Sequence, residues 1–89
     1  MTLLQEIGEA IQLCREEVQR GDPMSFAATM LRTLEKWREA VLSGHYDERD
    51  RRRAAGGTFR YLSDDGNLFE HPLAQKILKI ANRYMRNDI

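Results

Sequence analysis

The fold is decided first by residues 2–21, which read TLLQEIGEAIQLCREEVQRG. Apolar side chains recur here at alternating spacings of three and four residues, which predicts an α-helix with one narrow apolar face. The members of this face are Leu4, Ile7, Ile11, Cys14 and Val18. Thr2 is a suitable N-cap, and Gly21 stands where a left-handed residue commonly ends a helix. Gly8 lies inside the helix, and we expect close packing against a neighbouring helix to explain it.

A second helix is predicted to begin at Asp22-Pro23, where an N-cap carboxylate precedes a proline suited to the first helical position. Its apolar face consists of Ala27, Met30, Leu34, Trp37 and Val41, widened by Phe26, Leu31 and Leu42. Gly44 is expected to end it. Because the link between the two helices is short, they must run antiparallel as a helical hairpin, with Trp37 as a core anchor.

A third amphipathic helix is predicted to open at Pro72. Its apolar face consists of Leu73, Ile77, Ile80, Ala81 and Tyr84, with Leu78 and Met85 beside it. A basic stripe runs along the same helix and consists of Lys76, Lys79, Arg83 and Arg86. The helix dipole favours cations at the C-terminal end, which accounts for Arg83 and Arg86. Lys76 lies in the first turns, where the dipole disfavours it, so it is the cation that most needs a partner.

Residues 45–71 form the least regular part of the sequence. Residues 47–55 have a helix-forming composition but almost no apolar face, and Gly56-Gly57 is expected to break any helix there. Residues 58–62, which read TFRYL, predict either a short strand or the first turns of a helix capped by Thr58. The composition of Asp64-Asp65-Gly66-Asn67 is typical of a turn.

We therefore predict an all-α fold, a small helical bundle in one domain over residues 1–89. It comprises an acidic antiparallel helical hairpin at 1–44, an irregular Arg/Gly-rich connecting segment at 45–71 and a basic amphipathic C-terminal helix at 72–88. The 89 residues are 42% hydrophobic and 31% charged, as expected for a globular domain with one core.

The charge of the chain is distributed unevenly. Residues 1–48 carry five basic and nine acidic groups, whereas residues 49–89 carry nine basic and five acidic groups. The net charge of zero excludes a strongly basic nucleic-acid wrapper as a description of the whole chain. The asymmetry favours a polar partner for the second half.

No residue pattern points to catalysis or to a cofactor. The common catalytic motifs are missing, so we expect no enzymatic activity. Cys14 lies on a predicted core face, and His45 and His71 lack ligand spacing, so we expect neither a metal site nor any other cofactor. The single cysteine, the lack of a signal peptide and the lack of a transmembrane-length run predict a cytoplasmic protein without membrane contact.

A cluster of arginines surrounds the glycine pair Gly56-Gly57. Its members are Arg49, Arg51, Arg52, Arg53 and Arg60. Guanidinium groups, accessible backbone N–H groups and a helix N-terminus at Thr58 would together suit phosphate, and nearby aromatic rings can stack on unpaired bases. The alternative is a solvated face on which these arginines pair with Asp47, Glu48 and Asp50 and the glycines form a hinge.

The segment RRRAAGGTFRYL at 51–62 resembles the signature of the RNA-binding domain of the phosphorylated adaptor for RNA export. That pattern has three arginines, two spacer residues, two glycines, an aliphatic residue, a phenylalanine and a later leucine. Ala54-Ala55 replace the family's usual Thr-Pro, and Thr58 takes the aliphatic position. The resemblance, which extends over about residues 24–86, implies a small all-helical module that binds single-stranded RNA with little sequence preference.

The first functional hypothesis is therefore a non-catalytic module that binds single-stranded RNA. Its predicted contact residues are Arg51, Arg52, Arg53, Gly56, Gly57, Phe59, Arg60, Tyr61, Lys76, Lys79 and Arg83. If residues 58–63 are helical, Phe59 and Leu62 face inward and Tyr61 points away; if they form a strand, Phe59 and Tyr61 share one face. This hypothesis requires the mid-chain arginines and the cations of the last helix to share one surface.

The second hypothesis is a protein-interaction module, with a homodimer as one form. A hairpin with such a narrow apolar face can leave Trp37, Phe26 and Met30 incompletely buried. Two acidic hairpins, or an acidic hairpin and the basic half of a second copy, would then complete the core.

Overall fold

The computed structural model describes residues 1–21, 26–44, 47–64 and 71–89. Four α-helices lie in these ranges: α1 (Leu3–Arg20), α2 (Phe26–Ser43), α3 (Glu48–Ser63) and α4 (Pro72–Met85). These ranges contain no β-strand, and the predicted all-α fold is confirmed. Within them, no helix is both long enough and apolar enough to span a membrane.

The chain divides into two compact units, Met1–His45 and Tyr46–Ile89. The first contains α1 and α2, which pack against each other, and the second contains α3 and α4, which do the same. The division falls where the sequence places the end of the acidic hairpin. A single domain over 1–89 stays a prediction.

Helix α1 begins with a capping box. The Thr2 hydroxyl accepts a hydrogen bond from the Gln5 backbone N–H at 3.2 Å, and the Thr2 N–H donates to Gln5 Oε1 at 2.9 Å. At the other end the Gly21 N–H donates to the Glu17 carbonyl at 3.0 Å. The prediction of a left-handed Gly21 was wrong: its φ of −127° is extended backbone.

The buried side of α1 consists of Leu3, Ile7, Ala10, Ile11 and Cys14. Ile7, Ile11 and Cys14 match the predicted apolar face, but Leu4 and Val18 are only half-buried. Leu3 takes the place of Leu4 because it lies one turn before Ile7 at a spacing of four residues, nearer the centre of the buried side.

The core of α2 confirms the sequence prediction for Ala27, Met30, Leu34 and Trp37, all of which are buried. Trp37 is 3% exposed. Leu42, predicted to widen the apolar face, is instead 66% exposed, because it lies on the flank of the last turn. Gly44 ends the helix as predicted, with φ +72° and its N–H donating to the Ala40 carbonyl at 2.9 Å.

The two helices of the first unit pack against each other, and their short link requires them to run antiparallel. An ion pair of 3.6 Å joins Arg15, near the end of α1, to Glu35 in α2. Both side chains are about half exposed, so this pair contributes little to stability. The predicted start at Asp22-Pro23 lies outside the described residues, as does His45.

Two predictions within residues 45–71 were wrong: the helix break at Gly56-Gly57 and the helix start at Thr58. Glu48–Ser63 is a single α-helix that continues through Gly56-Gly57, and Thr58 is a buried interior residue rather than a helix cap. Asp47 is the N-cap, and its carboxylate accepts from the Asp50 N–H at 2.8 Å. Ala55, Thr58 and Leu62 are buried at spacings of three and four residues, which is the apolar face that was not recognised.

Helix α4 confirms the predicted apolar face in full. Leu73, Ala74, Ile77, Ile80, Ala81 and Tyr84 are buried, and Leu78 and Met85 are half-buried. Pro72 occupies the first turn, and His71 is the N-cap, with Nδ1 accepting from the Leu73 N–H at 3.2 Å. Of the predicted turn at 64–67, only Asp64, the C-cap of α3, is described.

Gly8 provides a test of helix energetics in the first unit. A Cβ built at Gly8 meets no atom within 4 Å, so the expected close packing is not its explanation. We predict that Gly8→Ala raises the free energy of unfolding by about 0.5–1 kcal/mol, because alanine loses less backbone entropy in a helix. Urea denaturation followed by circular dichroism measures this change.

Gly44→Ala is the matched control for that substitution. The Gly44 φ of +72° lies in the left-handed region, so alanine there should lower the free energy of unfolding by about 1 kcal/mol. Equal effects of the two alanines would contradict the helix-propensity explanation.

Candidate nucleic-acid interface

The exposed face of α3 carries a line of arginines with glycines inside it. We call this line the outer strip; it consists of Arg49, Arg53, Gly56, Gly57 and Arg60, all exposed. The spacings of four and seven residues between the arginines place the three guanidinium groups on one side of the helix. That side is opposite the buried Ala55, Thr58 and Leu62.

The arginines of the outer strip have no ion pair with another described residue. In the part of the chain that the structure describes, Arg49, Arg53 and Arg60 have no carboxylate oxygen within 4.0 Å. Asp50 and Asp64 lie near the ends of the strip, but their carboxylate oxygens are more than 4.0 Å from the nitrogen atoms of these arginines. The alternative of a solvated face of paired charges therefore does not describe these three arginines.

Two other predicted contact residues are paired. Arg52 contacts Glu48 at 2.8 Å, one turn earlier on the exposed side of α3. Arg83 contacts the Asp88 carboxylate at 3.3 Å through its Nε. Their charges are partly offset before any ligand arrives, in contrast to the outer strip.

Gly56 and Gly57 leave a gap in the middle of the strip. A Cβ built at either position meets nothing within 4 Å. Their N–H groups belong to the helix, so they bond to carbonyls one turn earlier and cannot bind phosphate as the sequence prediction supposed. The predicted helix dipole at Thr58 is likewise lost, since the helix begins at Glu48. The glycines instead let a ligand lie directly against the helix surface.

Tyr61 places an aromatic ring at the edge of the strip. It is 39% exposed, whereas Leu62 is fully buried and Phe59 is half-buried. This is the arrangement expected if residues 58–63 are helical. Tyr61 lies one turn after Gly57, which has no side chain to cover that part of the surface.

A second cluster of arginines lies where α3 begins and α4 ends. A cleft of about 450 Å³ is lined by Glu48, Arg51, Arg52, Met85 and Arg86; we call it the α3–α4 cleft. Because the start of α3 and the end of α4 line the same cleft and the two helices pack together, α3 and α4 run antiparallel. Arg51 is half-buried, and Arg52 and Arg86 are exposed.

The α3–α4 cleft brings Arg51 and Arg52 together with Arg86, whereas Lys76, Lys79 and Arg83 are not among its lining residues. Arg86 reaches the cleft, while Lys76 and Lys79 lie on earlier turns of α4. Lys76 has an interaction of its own. The sequence analysis left Arg86 out of the contact set because the helix dipole already accounts for a cation at the C-terminal end of the helix.

The first unit has a charged cleft that the sequence prediction also missed. Its volume is about 430 Å³, and it is lined by Arg15, Arg32, Glu35, Lys36, Arg38 and Glu39. Four cations and two carboxylates line it, and Arg15 is already paired with Glu35. No aromatic residue or glycine is among its lining, so it offers less to a nucleic acid than the outer strip does.

Cys14 is a core residue, as predicted. It is fully buried, and burial, followed by the negative charge of Glu17, raises the pKa of its thiol to about 11. Within the described ranges no three His, Cys, Asp or Glu residues are grouped closely enough to hold a metal ion.

Comparisons with known proteins provide no family for the chain. No family model matches it, and neither a curated protein nor a solved structure shows a significant match. The likeness of residues 51–62 to the RNA-export adaptor domain therefore stays a prediction from the motif.

The buried Cys14 thiol should react slowly in the folded protein. With a pKa of about 11, only on the order of one thiol in a thousand is ionised at pH 8. We predict that iodoacetamide at pH 8 labels native protein at least tenfold more slowly than protein unfolded in guanidinium, as measured by mass spectrometry. Equal labelling rates in the two states would contradict the buried position.

Proposed function

We propose that the chain is a non-catalytic module that binds single-stranded RNA along the outer strip of α3. The observation that carries this proposal is the line of three exposed guanidinium groups, Arg49, Arg53 and Arg60, none with a carboxylate within 4.0 Å among the described residues. Such groups bind phosphate oxygens through charge-assisted, often bidentate hydrogen bonds.

The dimensions of the strip suit an extended polyanion rather than one small ion. Arg49 and Arg60 lie eleven positions apart in the helix, or about 16 Å along the axis. A single phosphate group cannot reach both ends, whereas a nucleic-acid backbone can run along the line. The glycine gap between Arg53 and Arg60 gives that backbone room to approach the helix.

Tyr61 favours an unpaired strand. Its exposed ring can stack on a base only if the base is not held within a duplex, and stacking of this kind is worth about 1–3 kcal/mol per base. The resemblance of residues 51–62 to the RNA-export adaptor domain supports RNA as the nucleic acid. The net charge of zero suits contact through one local surface rather than wrapping of a long duplex.

Charge reversal on the strip tests the proposal. We predict that Arg53→Glu with Arg60→Glu raises the Kd for an oligouridine ten-mer at least tenfold, because two phosphate contacts are replaced by repulsion. The slope of log K against log salt should flatten by about 1.4, which corresponds to two contacts on a single strand. Fluorescence anisotropy over a series of salt concentrations measures both quantities.

Arg20→Glu with Arg32→Glu is the matched control, since it makes the same change in charge on exposed residues of the first unit. Its affinity for the ten-mer should remain close to that of the unaltered chain. Failure of the unaltered chain to bind at low salt, or an equal loss in both double variants, would refute a binding surface on α3.

The glycine gap generates a second test, in which stability and binding change in opposite directions. Gly56→Ala with Gly57→Ala should raise the free energy of unfolding by about 1–2 kcal/mol, because the two methyl groups meet nothing within 4 Å. The same methyl groups hold the strand away from the helix, so we expect RNA affinity to fall several-fold. Urea denaturation and anisotropy give the two readouts.

Gly8→Ala serves as the control, because it adds a methyl group to a helix of the first unit. It should stabilise the protein without changing RNA affinity. Unchanged affinity in the Gly56→Ala, Gly57→Ala variant would show that the strand does not approach the helix at the glycines.

A further inference from the structure

The α3–α4 cleft is concave, whereas the outer strip is an exposed helix face. The first turns of α3 form one wall with Glu48, Arg51 and Arg52, and the end of α4 forms the other with Met85 and Arg86. A strand can lie along the strip, but a cleft of about 450 Å³ accommodates a group of limited size.

The charges that line the cleft match a dianion. The lining residues include three arginines and one glutamate, so their formal charges sum to +2, and Arg51 also has an interaction within the protein. An internal phosphodiester of RNA carries one negative charge. A phosphate monoester at the end of a strand carries about −1.5 to −2 at pH 7 and presents three acceptor oxygens.

The cleft adjoins the outer strip through Arg52. This residue lines the cleft, and it lies next to Arg53 in the chain and one turn after Arg49 on the same helix. Successive residues of a helix are about 100° apart, so the Arg52 side chain lies between the side of α3 that faces the cleft and the side that bears the strip. A strand bound along the strip thus reaches the cleft without leaving a basic surface.

We infer that the α3–α4 cleft binds the terminal phosphate monoester of the RNA strand. This inference rests on the proposed RNA-binding function and adds a preference for strands that end in phosphate. Arg51, Arg52 and Arg86 donate hydrogen bonds to the terminal oxygens, and Arg52 exchanges its contact with Glu48 for the phosphate. The side chain of Met85 gives the terminal sugar an apolar surface.

The test uses the full chain and three oligouridine ten-mers, which carry a 5′-phosphate, a 3′-phosphate or hydroxyl groups at both ends. Isothermal titration calorimetry at one ionic strength gives the Kd of each. We expect one of the phosphorylated strands to bind about tenfold more tightly than the hydroxyl-ended strand, as additional charge-assisted hydrogen bonds form. Which strand binds more tightly identifies the end that enters the cleft.

Two variants with opposite expected effects connect the preference to the cleft. Arg86→Gln should bring the ratio of phosphorylated to hydroxyl-ended affinity close to one. Glu48→Gln should increase that ratio, because it removes the carboxylate that competes for Arg52. Arg20→Gln, an equal loss of charge on the first unit, should leave the ratio unchanged, and circular dichroism establishes that all three variants are folded.

Each possible result has a distinct meaning. If all three strands bind with equal affinity, the inference is wrong and the proposed function stands. If the preference exists but survives in Arg86→Gln, the phosphate is bound outside the cleft and the inference is again wrong. If no strand binds at low salt, the proposed RNA-binding function fails, and the inference fails with it.

Discussion

The burial of Ala55, Thr58 and Leu62 is the constraint on which the candidate interface depends. Two exposed glycines in succession weaken a helix by about 2 kcal/mol relative to alanine. Complete burial of one leucine side chain is worth about 1.5–3 kcal/mol, and Ala55 adds to it. The buried side therefore holds α3 together across the glycines, and the Asp47 cap fixes where the helix begins. Without a continuous α3, Arg49, Arg53 and Arg60 would not lie on one line.

Continuity of α3 also divides its arginines into two classes. Arg49, Arg53 and Arg60 of the outer strip have no carboxylate oxygen within 4.0 Å in the described part of the chain. Arg52 pairs with Glu48 at the rim of the α3–α4 cleft. A phosphate at the strip would meet cations that have no ion-pair partner among the described residues, whereas a phosphate in the cleft would displace the Glu48 carboxylate from Arg52. The outer strip suits many weak contacts along a nucleic-acid backbone, and the α3–α4 cleft suits one contact with a group of higher charge.

Because Gly56 and Gly57 lie inside α3, they contribute to the proposed interface differently from glycines in a loop. In a loop, their N–H groups would bind an anion directly. In α3 those N–H groups already donate hydrogen bonds within the helix. The glycines can therefore favour binding only through their lack of a side chain, which leaves the helix surface uncovered. The proposed interface therefore obtains its attraction from arginine side chains and its close approach from glycine, as two separate contributions. Tyr61 adds a base-stacking surface at the edge of the same face.

The sequence alone determined the helices whose apolar residues recur at helical spacing. The cores of α2 and α4 follow from residues such as Leu34, Trp37 and Ile77, and the end of α2 follows from Gly44, because burial and backbone preference act locally there. Only the tertiary structure decided α3, since a helix with just Ala55, Thr58 and Leu62 to bury is stabilised by its packing against α4 and not by its own pattern. It also decided that Arg86 joins Arg51 and Arg52, because residues 34 and 35 positions apart meet only when the two helices pack antiparallel.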